Sequence, residues 1–223
     1  MRTFRTILVA LTALLSVLVA APASADKDHW RGSEHARPST YKWVGQLGDG
    51  YEVLIVRGLN VRQVRRTLGV VKSQLRDMGP YDAMSWTDAH TDWEKYTAPR
   101  MAQVHRRGRS VVVYLPLWIM STTTIQQLSR KGTVVDFFTS VEDQYVTVAR
   151  RGKIIRSFDA LLGPNGDDDG RPLPEEKGLP WGKPRQDAWA TTWAFMERVS
   201  RIHLSKTWFL GDHPTWVFRG RAP

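Results

Sequence analysis

An α+β fold is predicted, with an antiparallel sheet packed against a Trp-rich C-terminal helix. Three stretches predict it. Residues 133–162 read as a central β-meander of three strands, residues 101–116 as a second hairpin, and residues 188–202 as a helix with a broad apolar face. One α+β domain is expected over residues 41–223.

The first 25 residues are expected to form a signal peptide. Arg2 and Arg5 give a short basic start, residues 6–20 are apolar, and Ala23-Ser24-Ala25 is a small-x-small cleavage site. The apolar run is too short and wrongly flanked for a membrane span. Secretion with release is therefore expected, with no stable span after cleavage; retention as an anchor is the alternative. Cleavage leaves 198 of the 223 residues, enough for a substantial core. The chain has no Cys, which argues against a disulfide scaffold and excludes thiol catalysis and thiolate metal sites.

Removing the two leader arginines takes the formal net charge from +10 to +8. A basic exported protein is drawn to wall phosphate polymers, acidic polysaccharide, lipid headgroups or nucleic acid. All ten Trp lie beyond the signal peptide, where they fill a core or stack on sugars.

Residues 26–40 are polar, with Gly and Pro, and read as a flexible leader. Residues 51–57 (YEVLIVR) form a nearly continuous apolar run, a buried strand. Asn60 is placed to cap a helix over 61–68, with Val61, Val64 and Leu68 inward and Arg62, Arg65 and Arg66 outward. Residues 70–78 suggest a second short helix closed by Gly79-Pro80, and residues 81–99 a loop with a turn of helix. The second hairpin turns around Arg106-Arg107-Gly108-Arg109. Ser121 or Thr122 caps a helix over 123–130, and Gly132 suits a left-handed C′ position.

The meander follows. Residues 133–140, 145–150 and 153–158 have strand composition, and Arg151-Gly152 is a two-residue link. A two-residue turn sets Tyr145 opposite Phe158, Thr147 opposite Arg156 and Ala149 opposite Ile154. Apolar groups on both faces suggest a central pair. Residues 163–184 read as an excursion loop, Asp187 as the cap of the long helix, Ser205 as the cap of a short one, and residues 216–218 as a last strand.

The order of these pieces resembles a known family. A Val56-Arg57-Gly58-Leu59 strand end leads into a helix finishing at Arg65 to Gly69. Leu128-Ser129 and Gly132-Thr133 precede a strand, and a Gly-containing turn runs into Ser157-Phe158-Asp159. Over residues 41–220 the chain is similar to the uncharacterised actinobacterial family called domain of unknown function 6461. The resemblance implies an actinobacterial source and this strand–helix–meander–helix order. It implies no catalytic residue, and many members are cytoplasmic, so the leader departs from the family pattern.

Three constellations could carry chemistry. Asn165, Asp167, Asp169 and Glu176 follow the spacing of a calcium loop, with Asn at the first ligand position and Glu at the twelfth. Pro172 and the Gly178/Pro180 pair oppose that reading, and a solvated acidic turn fits as well; calcium is the one cofactor considered. Asp88, His90, Asp92 and Glu94 alternate, so a strand would place them on one face for acid/base work, although an exposed turn also suits them. The third set is basic. Arg106, Arg107 and Arg109 surround one turn, and Arg150, Arg151 and Lys153 the other. Turns at the same end of the sheet would make one positive rim for a polyanion.

The function expected is a non-enzymatic binding or interaction module at the cell envelope. Its partner would be an anionic wall polymer or an envelope protein, with no nucleic acid expected because no binding module is recognised. The alternative is a hydrolase acting on a wall or extracellular polymer.

Overall fold

The computed structural model describes residues 36–218 except 71–73, 96, 165–168 and 183. The leader, residues 26–35 of the polar segment, and Asn165 and Asp167 lie outside the described residues.

The strands are β1 (Tyr51–Arg57), β2 (Gln74–Met78), β3 (Met101–Arg107), β4 (Ser110–Pro116), β5 (Thr133–Thr139), β6 (Gln144–Arg150), β7 (Lys153–Asp159), β8 (Asp169–Gly170) and β9 (His213–Val217). They form one antiparallel sheet in the order β2-β9-β3-β4-β1-β5-β6-β7-β8. The helices are α1 (Val61–Thr67), α2 (Pro80–Ala89), α3 (Thr122–Ser129), α4 (Arg185–Ser200) and α5 (Lys206–Phe209). The predicted α+β class, meander and second hairpin are all present. Among the described residues no helix is long and apolar enough to cross a membrane.

Both sheet faces are covered, which explains why β1 is apolar on both. One face packs Tyr51, Val53, Ile55, Phe137 and Val146 against Trp189, Trp193, Phe195 and Met196 of α4. The other packs Leu54, Val56, Val113 and Val134 against Val64 and Leu68 around α1 and Ile125 and Leu128 of α3. Residues 188–197 of α4 are all buried, because a 3-10 helix, Pro38–Gln46, lies on the flank of α4 away from the sheet. Burying side chains of this size stabilises by about 1.5–3 kcal/mol each.

Several expectations are corrected. The domain begins by Ala36, which is fully buried and whose carbonyl accepts from Arg198 Nε at 3.3 Å. Residues 74–78 are a strand, not a helix, because β9 supplies a partner: Met78 pairs with His213, and Gln103 Nε2 donates to the Met78 carbonyl at 2.7 Å. The expected loop contains α2, opened by Pro80 at its first turn. Its buried stripe is Pro80, Ala83 and Thr87, residues too small or polar to show a period. Asp187 is not the cap of α4; Pro184 is, and Asp187 sits in the first turn, where a carboxylate suits the helix dipole. Gly132 is not left-handed. A Cβ there would meet the Arg57 carbonyl oxygen at 2.1 Å, and one on Gly58 would meet the Lys131 carbonyl oxygen at 2.3 Å. The two glycines let the chain cross itself closely beside Arg57 and Lys131.

The meander holds, with two changes. Ala149 faces Ile154 as expected, but the register then shifts, so Val148 meets Arg156, Thr147 meets Ser157 and Tyr145 meets Asp159. Ile155 is the extra residue of a bulge. Nor is the pair central: beyond β7 lies only the two-residue β8. Its apolar residues on both faces reflect helices on both sides of the sheet, with α3 against β6 and β7.

Candidate polyanion-binding rim

The two turns lie at the same end of the sheet. Arg107 pairs with Ser110, Ser110 with Arg57, Arg57 with Thr133, Thr133 with Arg150, and Arg150 with Lys153. One transverse line therefore crosses six strands, and five steps of about 4.8 Å give it roughly 24 Å.

The turns are tight for reasons of chirality. Arg151 and Gly152 have φ of 51° and 81°, the positive pair of a type I′ hairpin, and Gly108 opens the other turn at φ 53°. The end of α3 docks on the first turn: Gly152 N donates to Ser129 Oγ at 3.0 Å, and Arg151 N donates to the Gly132 carbonyl at 3.0 Å. This places Arg130 against Gly152 and brings Lys131 to the rim.

Arg106, Arg109, Arg151 and Lys153 are exposed. Arg150 is half-buried and reaches Glu175 at 3.4 Å. Arg107 differs from expectation. β3 points it towards the α4 side of the sheet, where it is buried over the Trp208 ring at 4.8 Å and its Nε donates to the His203 carbonyl at 3.5 Å. It is a strut beneath the rim. The rim gains Arg57, Arg130, Lys131 and Arg201. Partial burial lowers the Arg57 pKa, and the charges of Arg201, Arg109 and Arg150 lower it further. Arginine stays protonated all the same, so the rim gathers positive charge in a confined space.

These added cations left a trace in the sequence. Arg57-Gly58, Arg107-Gly108, Lys131-Gly132 and Arg151-Gly152 are each a cation followed by a glycine at a turn or close crossing. All four sit at this end.

The acid/base candidates do not share a face. Asp88 is exposed in the last turn of α2, and His90 caps that helix, stacked on Trp86 at 4.0 Å with Nδ1 2.8 Å from the Trp86 carbonyl. Asp92 pairs with Lys95 at 2.8 Å, and the Lys95 side chain holds its pKa below the ordinary range. Glu94 is exposed. The nearby apolar groove is walled by Trp93, Leu117, Ile119 and Phe138, and its lining includes none of Asp88, His90, Asp92 and Glu94.

Of the calcium-loop candidates, Asp169 and Glu176 are described. Asp169 is exposed in β8. Glu176 is buried and turned inward: Arg156 Nε donates to its Oε1 at 2.8 Å, Nη2 to its Oε2 at 3.2 Å, and Leu173 N to Oε1 at 2.8 Å. An arginine holds the carboxylate proposed for a cation. Among the described residues no group of three or more His, Asp or Glu could hold a metal ion.

Two buried clusters were not anticipated. Glu52 on β1 and Asp136 on β5 are diagonal neighbours on the α3 side of the sheet. Burial raises both pKa values, Asp136 to about 7; the charge and hydrogen bond of Asp136 raise Glu52 well above the carboxylate range. Burial thus favours the protonated form of both carboxyls, and Met120 N donates to Glu52 Oε2 at 2.6 Å. In the second cluster, Tyr41 Oη donates to Glu197 Oε2 at 2.5 Å, and His203 Nδ1 lies 3.1 Å from the same oxygen. It ties the 3-10 helix to the end of α4.

Comparison with protein-family models, with curated proteins and with solved structures finds no match to this chain. The functional reading rests on its own residues.

Proposed function

We propose that this chain is an exported, non-enzymatic binding module of the cell envelope that holds an anionic polymer on its basic end. The observation that carries the reading is the transverse line of cations. Arg57 sits on that line, its pKa lowered first by partial burial and then by the charges of Arg201, Arg109 and Arg150, and Arg106, Arg109, Arg151 and Lys153 are exposed beside it. A confined cationic edge attracts a polyanion over several ångströms and gives it several contacts at once. Export follows from the leader, with Asp26 as the first residue of the released chain. Hydrolysis of the same polymer is the competing reading. It has less support, since Asp92 is paired with Lys95 and Asp88, His90 and Glu94 lie outside the adjacent groove.

Co-sedimentation of the released chain with purified cell wall tests both. Retention is expected at about 0.05 M salt and to fall at least about tenfold by about 0.5 M, as screening shortens the reach of surface charge. Changing Arg109, Arg151 and Lys153 together to Ala should remove most retention at unchanged Tm. Salt-independent retention, or full retention by the variant, overturns the binding reading. Soluble fragments released from the wall would favour the hydrolase.

A further inference from the structure

The rim borders a saddle on the α1 side of the sheet. One hollow of about 330 Å³ lies between the start of α1 and the β3–β4 hairpin, with Arg106 and Arg109 at its wall. A second, of about 400 Å³, lies between α1 and the end of α3, with Arg66, Arg130 and Lys131. Leu59 and Gln63 line both. The two hollows therefore adjoin at Leu59 and Gln63, which stand between them as a ridge, and together they make a two-part trough with cations on both sides.

We propose that this trough seats a linear phosphodiester polymer whose repeat is an acyclic polyol, with successive phosphates in the two hollows and the polyol over the ridge. This deepens the polyanion reading and rests on it.

The ridge suits a polyol. Leu59 is a half-buried apolar ledge for the carbon chain. Gln63 Oε1 accepts from Asn60 N at 2.9 Å, which leaves its amide NH2 as the group to donate to a hydroxyl. The ends suit phosphate. The first hollow takes both its cations, Arg106 and Arg109, from the β3–β4 turn, and the second takes Arg66 from α1 and Arg130 and Lys131 from the end of α3. A tetrahedral phosphate presents oxygens in several directions, whereas a carboxylate takes one planar fork. Two hollows, each with its own cations, call for two linked charges. A single-stranded nucleic acid would need aromatic platforms for its bases, and neither hollow is lined by Trp, Tyr or Phe.

Titration calorimetry with a poly(glycerol phosphate) oligomer tests the assignment. Polygalacturonate, oligo(dT) and inorganic phosphate serve as comparison ligands. The oligomer should bind at least about tenfold tighter than each of the three, since every lost charge-assisted contact weakens binding by about that factor. Leu59→Trp, which fills the ridge, and the exposed pair Arg66→Glu with Arg130→Glu should each weaken it at least about tenfold at unchanged Tm. Equal or tighter binding of polygalacturonate or oligo(dT) overturns the ligand class. Inorganic phosphate binding as tightly as the oligomer overturns the two-charge seat. If Leu59→Trp does not fold, the charge-reversed pair decides alone. Oligomer binding lost in the Arg109, Arg151 and Lys153 variant but intact in the saddle variants removes the saddle and leaves the rim. Binding unaffected by either set removes both.

Discussion

Glu52 and Asp136 are the residues whose chemistry departs furthest from their unfolded state. Each stands alone among apolar neighbours, in Tyr51–Arg57 and Thr133–Thr139, and that isolation was legible in the sequence. Their meeting was not, because it needs β1 and β5 to pair in one particular register. The folded pKa values lie above the unfolded ones, so the folded state binds more protons between about pH 4 and about pH 7, the value for Asp136. The contribution of Asp136 to stability is full below about 4 and is lost as pH rises through about 7; Glu52, raised in the same direction, adds to the loss. His105 and His213 work the other way. Burial lowers both pKa values, more so for His105, which stacks on His213 at 3.7 Å. Their contribution falls as pH drops below about 6.5. Urea midpoints measured from pH 4 to 8 on wild type and Asp136→Asn isolate the carboxyl pair. The wild-type midpoint minus that of the variant should decline with rising pH; a flat difference would show that folding does not raise the Asp136 pKa.

At the scale of elements, the β6–β7 hairpin joins the buried acids to the rim. The straight register read from the sequence puts Arg156 opposite Thr147, which itself pairs with Asp136 on β5. The bulge at Ile155 moves Arg156 to the other face, where it binds Glu176, and leaves Ser157 opposite Thr147 with their hydroxyls 3.3 Å apart. Asp136 is thus denied an arginine and keeps its raised pKa. A bulge depends on how both faces are filled, so strand composition located β6 and β7 but not their alignment. α2 and β2 were illegible for related reasons: α2 buries small residues without a strong period, and β2 exists because β9 pairs with it. The basic turns, in contrast, were readable from glycine and charge alone. The Arg151-Gly152 turn holds a non-glycine residue at φ 51°, a region that Asn tolerates better than Arg. Arg151→Asn should therefore stabilise the fold by about 0.5 kcal/mol while weakening retention on cell wall. Thermal unfolding and wall co-sedimentation on the same preparation check this. A variant less stable than wild type would mean that the Arg151 side chain, not its backbone, holds the turn.

Across the whole molecule, the antiparallel strands separate two unlike ends. The cations of the rim lie at one. At the other, loops after β4, β5 and β7 expose Ile119, Val141 and Leu162, and Trp93 shares a groove with Ile119. Strands of seven residues span roughly 20 Å at about 3.4 Å per residue. The screening length at physiological salt is about 8 Å, so the rim's field is spent before it reaches the apolar end. A bound anionic polymer should therefore cover one end and leave the other open. The absence of Cys makes this directly measurable. Lys153→Cys and Val141→Cys are both exposed positions, and each variant carries one thiol for a maleimide. Saturating polymer should slow labelling at position 153 at least about fivefold and leave the rate at position 141 unchanged, because access governs the rate of an exposed thiol. Equal protection at both positions would mean that the polymer wraps the domain or induces its association. Protection at 141 alone would transfer the binding face to the apolar end and set aside the rim.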